Sequence, residues 1–485
     1  MRFVARTVHP VADRSPPAAV SRSLDVVPSR KPSMTFLRRP ALLIALASAI
    51  AFPASAQSLQ ELYEAARGYD ATYLAARALR DSSQYRVEQA RALGRPSVSV
   101  DGSAGRSYNE SPGTTPESRT TSYGATLSAR QSLFNRGNDA TISQAEKSLE
   151  VARADFALAE QDLIVRVAQA YFDVLAAQDA LATARTGKAA ISEQLASAKR
   201  NFEVGTATIT DTREAQARFD LATAQEIAAE NELRTRRIAL DQLVGRSNVA
   251  PKGLATPVAL PATQPDAVEP WVERAENEQP NIQKARLALD VARLETEKAR
   301  AGHLPTVGLT GSIGKGHAST RGDARVTTGG GSTVVPFESS GSTTSASVGV
   351  AVNIPIFSGY AVQNRVKETL LLEEKSLNDL EAARRAVAQA TRTAFFGVQS
   401  GRAQVLALEA AESSSALALE ATQLGYRVGV RVNLDVLNAQ TQLFSTRRDL
   451  AKARYDVLVN GLRLRQAAGV LGPQDVSAVD QLLAK

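Results

Sequence analysis

The segment FEVGTATITDTREAQ (Phe202 to Gln216) returns 224 residues later as YRVGVRVNLDVLNAQ (Tyr426 to Gln440), with the aromatic residue, Val-Gly, Asp and Ala-Gln at equal offsets. The correspondence extends along the chain. ARALGRPSVSVDGSAG (Ala90 to Gly105) aligns with ARAGHLPTVGLTGSIG (Ala299 to Gly314), SLFNRG with PIFSGY, AQAYFDVLAAQ with TRTAFFGVQSG, and Gly245 with Gly469. A long unit present only twice is an internal duplication; solenoid repeats recur every roughly 20 to 50 residues. Whatever one half folds into, the other must fold into as well. The offset grows from 209 at Pro96 and Pro305 to 223 at Phe134 and Phe357. The second half therefore carries a net insertion, which falls in GKGHASTRGDARVTTGGGSTVVPFESSGSTTS and reads as a Gly/Ser/Thr-rich loop.

Two periodicities alternate within each half. Tyr123, Ala125, Leu127, Ala129 and Leu133 lie on one side of a strand pattern, and Ser122, Thr126, Ser128, Arg130 and Ser132 on the other. Ala346, Val348, Val350, Val352, Ile354 and Ile356 repeat it against Ser345, Ser347, Gly349 and Asn353. This period of two predicts strands. Their partners follow Pro96 and Pro305, a position that proline tolerates, so hairpins are expected at 97–134 and 306–357. The rest reads as helix. No Pro interrupts Glu117 to Ala250 or Ile356 to Gly472. Val436, Leu443, Leu450, Val457 and Leu464 recur every seven residues, which implies left-handed coiled-coil packing. Phe172 and Phe396 are expected to pack in the helical layer, and Gly205 and Gly429 to form the tight turns between long helices.

The net charge of +7 is concentrated in the first 56 residues, which hold eight Lys/Arg and two Asp/Glu; the remainder is nearly neutral, 49 against 48. No basic patch advertises nucleic acid. Within that stretch, Arg38 and Arg39, the apolar run Ala41 to Phe52 and Ala54-Ser55-Ala56 have the layout of an export signal at 34–56. Residues 1–33 precede an already complete signal and are read as an extension that need not be translated. There is no Cys, hence neither a disulfide nor a thiol for a lipid anchor. Three His without ligand spacing make a catalytic metal an unsuitable reading, and the Gly run near Thr328 lacks the residues of a phosphate loop. No catalytic residue, cofactor or metal site is expected.

Each chain thus has four amphipathic strands with no core to meet, because the helices are engaged by their own seam. Four strands cannot close a membrane barrel, and an open edge in lipid leaves unpaired backbone groups costing several kcal/mol each. Several chains must therefore pool their hairpins. The rival of another class is an exported coiled-coil structural protein or adhesin without a pore.

The ordered, duplicated set ARALGRPSVSV, ARAGHLPTVGL, QSLFNRG, NIPIFSGY, QAYFDVLAAQDAL, FEVGTATITD and YRVGVRVNLDVLNAQT resembles the TolC family of outer-membrane exit ducts across essentially the whole mature chain. The resemblance implies an α+β membrane protein: a trimeric 12-stranded β-barrel, four strands per chain, continued by a long α-helical coiled-coil barrel in the periplasm of a Gram-negative cell. The first structural repeat would span 57–245 and the second 276–469, with equatorial segments at 246–275 and 470–485. The partners implied are two further copies of the chain, outer-membrane lipid, a periplasmic adaptor, and an inner-membrane ABC or proton-driven transporter. Type I protein secretion is the leading function and multidrug efflux the alternative.

The resemblance also assigns residues. Asp435 would project into the periplasmic aperture as a ring of three. One turn on, where the family has a second Asp, stands Asn438. Tyr426 and Arg431 would latch across to Asp211 and Thr210, with Gln194 nearby. Pro96, Phe134, Pro305 and Phe357 would mark the junction of barrel and tunnel, and the two Phe could belong to an aromatic girdle.

Overall fold

The polypeptide alternates short helices, β-hairpins and very long helices, twice. The computed structural model describes residues 57–111, 115–255 and 260–484; the expected extension and export signal lie outside them. The first half runs α1 (Leu59–Tyr69), α2 (Ala71–Arg91), β1 (Ser97–Ser111), β2 (Thr115–Phe134), α3 (Arg136–Glu203) and α4 (Ile209–Val244). The second runs α5 (Glu269–Glu278), α6 (Pro280–Ala301), β3 (Thr306–Thr328), β4 (Gly331–Asn353), α7 (Ala361–Arg427), α8 (Asn433–Ala467) and α9 (Pro473–Asp480). Helix α3 has 68 residues and α7 has 67, about 100 Å each at about 1.5 Å per residue.

The strands form one antiparallel sheet in the order β1-β2-β3-β4. Its register sorts side chains into two faces, because successive residues of a strand point to opposite sides. One face carries the row Val98, Ala129, Gly311, Val348 and the next row Val100, Leu127, Ile313, Ala346. The other carries Ser99, Ser128, Ser312 and Ser347 side by side, with hydroxyls of neighbouring strands paired at 2.8 Å. Among the described residues nothing covers the apolar face: Val100 is 71% exposed and Val348 84%. Among the described residues, both outer strands also have an unpaired side.

The structure corrects the sequence reading in the second hairpin. The Gly/Ser/Thr-rich insertion expected as a loop is strand throughout, paired without a break from Gly314↔Ser345 to Thr328↔Gly331. Antiparallel pairing satisfies the backbone whatever the side chains are, and Thr and Val suit it. The turn shrinks to Gly329-Gly330, whose φ angles of 59° and 94° are those a two-residue hairpin turn demands. β4 also stops at Asn353, so Ile354 and Ile356 lie beyond the ladder; Pro355 follows at once and cannot donate to it.

The helical seam follows the seven-residue repeat. Val436, Leu443, Leu450, Val457 and Leu464 are all buried, and α8 packs on α7 and α3. The largest cluster of buried residues gathers at mid-height, where α1, the middle of α3 and the ends of α4, α8 and α9 converge around Tyr171, Phe172, Leu240 and Leu458. Tyr171 donates its hydroxyl to the Lys252 carbonyl at 2.8 Å, and Leu254 bridges to Leu483, tying the connecting segment to the C-terminal one. Phe396, expected to pack, is exposed within the chain; the buried position belongs to Phe395, one residue of helical phase away.

An ion pair anchors the junction of α1 and α2 to this level. Asp70 caps α2, accepting from the Tyr73 amide at 2.8 Å, and both its oxygens accept from Arg166 of α3 at 2.9 and 3.0 Å. The Arg166 guanidinium holds the Asp70 carboxyl below the usual carboxylate range, against a smaller opposing push from burial. A depressed folded value means that this stabilisation is complete above the unfolded pKa of about 4 and is lost as pH falls through the lower folded value. Asp70→Asn keeps an acceptor for the cap and removes the charge pair. It should cost about 2 kcal/mol and should remove this part of the acid sensitivity below about pH 4. Thermal melts in detergent followed by circular dichroism, at pH 7 and pH 3, would test both expectations; equal melting of variant and parent at pH 7 contradicts the first.

Candidate functional site

The two hairpins of long helices, α3–α4 and α7–α8, end in the duplicated element, Phe202 to Gln216 and Tyr426 to Gln440, and the copies differ at three positions that control its chemistry. Helix α3 ends at Glu203 and α7 at Arg427; Gly205 and Gly429 follow with φ of 79° and 80°. That left-handed conformation strains any residue with a β-carbon, so glycine is required at both turns.

After the turn the first half reads Ala207-Thr208-Ile209 and the second Arg431-Val432-Asn433. In the first half, Thr208 caps α4 in a reciprocal box. Its Oγ1 accepts from the Asp211 amide at 3.2 Å, and Asp211 Oδ2 accepts from the Thr208 amide at 3.0 Å and from its hydroxyl at 2.8 Å. Asp435 is the counterpart of Asp211, but its capping residue is Val432, which has no hydroxyl, and α8 has no side-chain cap. The Asp435 carboxylate is thereby released, and Arg431 takes it at 3.5 Å, one helical turn away. The stem of Arg431 lies across Gly425, where a β-carbon would come within 2.8 Å of Arg431 Cγ.

Within the chain, these contacts engage two of the side chains expected to form the latch. Within the chain neither Tyr426 nor Arg431 bonds to Asp211 or Thr210: Asp211 is occupied by its cap, Arg431 by Asp435, and Thr210 stands exposed in the first turn of α4. The hairpins are joined by other residues. Asn433, 2% exposed, accepts from Gln194 Nε2 and donates to the Asp211 carbonyl at 3.4 Å. Asn201 donates to the Tyr426 hydroxyl at 3.2 Å, and Arg218 donates to Asn438 Oδ1 at 2.9 Å. Tyr426, Gln194 and Asn438 therefore do bridge the two hairpins, through Asn201, Asn433 and Arg218, which sequence reasoning missed. One signal was present in the unequal copies: Asn433 stands where the first half has Ile209, and a buried amide must find partners.

At the opposite end, Pro96 and Pro305 directly precede β1 and β3, Phe134 is the last residue of β2, and Phe357 lies exposed between β4 and α7 with its ring 5.6 Å from that of Tyr360, edge to face. Among the described residues no group of three or more His, Cys, Asp or Glu is placed to hold a metal ion, and no helix is long and apolar enough to cross a membrane. The latter says nothing of the sheet.

Val432→Thr offers a direct check on the broken capping box. Restoring the hydroxyl should draw Asp435 away from Arg431 and stabilise the start of α8 by about 1 kcal/mol. A melting temperature no higher than the parent's would argue against this account of the tip.

The outer membrane efflux protein family matches residues 62–246 and 271–470, one segment for each half. The outer membrane protein TolC of Vibrio cholerae serotype O1 is 34% identical over 425 residues, covering 88% of this chain and 93% of that protein. The alkaline protease secretion protein AprF of Pseudomonas aeruginosa is 34% identical over 405 residues, 81% of each. Among solved structures, the outer membrane protein VceC from Vibrio cholerae superimposes with a TM-score of 0.70 at 19% identity, over 85% of this chain and 96% of that one, a likeness of fold. With both halves matched and relatives that align over most of their length, the chain belongs to the outer membrane efflux protein family and, within it, to the TolC proteins.

Proposed function

We propose that this chain is the outer-membrane exit duct of a type I protein-secretion machine. As a TolC-family protein it sits in the Gram-negative outer membrane, where three copies pool their sheets into a twelve-stranded barrel continued by a periplasmic helical tunnel. The sheet is the observation that carries the duct. It has apolar rows on one face, Ser rows on the other and two unpaired outer edges, so it suits lipid outside, water inside and a neighbouring chain on either side. A fibre would have no use for such a sheet. Preference for secretion over efflux draws on AprF, a protein named for protease secretion, at 34% identity.

In this reading the α3–α4 and α7–α8 tips form the periplasmic aperture and receive an inner-membrane transporter with its adaptor. Asp435 and Arg431 line the aperture as paired charges, and the Asn433, Tyr426 and Asn438 bridges hold it shut. Each bridge contributes only about 1 kcal/mol, which suits a gate that partner binding must open.

Expression in a host lacking its own exit duct, together with either an ABC exporter, its adaptor and a Gly-rich calcium-repeat protein, or a proton-driven drug pump and its adaptor, would test the assignment. The expected result is substrate protein in the medium, at least tenfold above the strain without the duct. Restored drug resistance with no secreted protein would assign the chain to efflux instead.

A further inference from the structure

The apolar face of the sheet has a measurable height and a charged upper border. From Val307 to His317, β3 advances ten residues on this face without a break, about 34 Å along the strand and about 26 Å vertically at a tilt of about 40°. That matches the apolar band of about 25 Å expected of an outer-membrane barrel. Its upper border is the row Ala104, Tyr123, His317, Ser342, with the Tyr123 and His317 rings 5.1 Å apart and His317 Nδ1 3.1 Å from Ser342 Oγ. Between the Gly102 and Tyr108 rows, this face carries Arg106, Arg119, Lys315 and Arg321 against one carboxylate, Glu338, which Arg321 already binds at 2.7 Å; the next row outward returns to acid, with Glu117, Asp323 and Glu110, which accepts from the Tyr108 hydroxyl at 3.3 Å. Arg119 is held over the Tyr108 ring at 5.6 Å.

Directly beneath these cations the face is dented. Gly102, Ala104 and Ala125 line a depression of about 750 Å³ beside Lys315, Tyr123 and His317. Arg119 and Lys315 stand on the two central strands, so joining chains at β1 and β4 leaves them facing outward. We infer that this depression and its basic rim bind a phosphate of the phosphorylated glycolipid that forms the outer leaflet of a Gram-negative outer membrane. The height places the cations at the headgroup layer. Lys315, one row lower, reaches up to it by its long stem, and guanidinium and ammonium groups together suit a phosphate. The small residues leave room for the sugar, and Tyr123 and His317 offer it flat ring faces.

The test uses the purified trimer in detergent, titrated with bisphosphorylated lipid A, with dephosphorylated lipid A and with phosphatidylglycerol, binding being read by native mass spectrometry. The parent should bind bisphosphorylated lipid A at least tenfold more tightly than either competitor. Arg119→Gln combined with Lys315→Gln should abolish that preference, whereas Arg130→Gln, on the opposite face of β2, should keep it. Arg321→Gln alone, at a well exposed position, should weaken binding about threefold and provides the reading should the double variant fail to form trimers. A parent without phosphate preference, equal binding of phosphatidylglycerol, or variants that bind as the parent does would each overturn the inference.

Discussion

Arg431→Ala should turn a weakly selective channel into a strongly cation-selective one, and Asp435→Ala should drive it the other way, towards anions. In the parent the two side chains neutralise each other at 3.5 Å within one helical turn. Removing Arg431 leaves one uncompensated carboxylate per chain and three at the aperture of a trimer. At an effective dielectric constant between protein and water, each charge close to a narrow path is worth several tenths of a kcal/mol to a passing ion, even with screening. Three together approach about 1.4 kcal/mol, about tenfold in the cation-to-anion permeability ratio. Block by trivalent cations should appear in Arg431→Ala and be absent from Asp435→Ala. Reversal potentials across planar bilayers in a salt gradient give the answer directly. If the two variants shift selectivity in the same direction, or not at all, Asp435 does not line the aperture.

The second large effect is expected at Asn433. Its buried amide joins α8 to both arms of the first hairpin, through Gln194 and the Asp211 carbonyl. Asn433→Ala breaks both bonds and leaves their partners unsatisfied, at a net cost of about 1 kcal/mol or more per chain. Since the three chains of a trimer open together, about 3 kcal/mol is removed from the closed state, a shift of more than a hundredfold in the closed-to-open ratio. Single-channel conductance should rise several-fold, and Tyr426→Phe added to it should raise it further by freeing Asn201. Thr210→Ala is the informative contrast: Thr210 takes no part in these bridges, so its conductance should equal the parent's. A Thr210→Ala channel as open as Asn433→Ala would restore the originally expected latch, with contacts made between chains.

The comparison of the two tips shows why some of this was legible in the sequence. Gly205 and Gly429 could be read as turns because their role depends on local backbone geometry alone, and their φ angles of 79° and 80° are local facts. The heptad from Val436 to Leu464 could be read for the same reason: a seven-residue period specifies one stripe of a helix, and a stripe of Val and Leu must be covered. The Gly/Ser/Thr-rich insertion was misread because side-chain composition carried the argument, while backbone pairing decided the outcome. Within the chain Arg431 pairs with Asp435 and not with Asp211, and letters do not separate the two, because an acid across the hairpin and an acid four residues along look alike. The choice between them depends on whether the capping box already engages Asp211, and it does.

Sequence by itself therefore determined the elements, their duplication and the demand for further copies of the chain, because periodicity and strand number are properties of each segment and each chain taken alone. Only the tertiary structure decided which polar groups meet at the helix tips and which cations crown the apolar face. Those pairings depend on the rotation of each helix against its neighbours and on the register between strands, neither of which a segment specifies until it is packed.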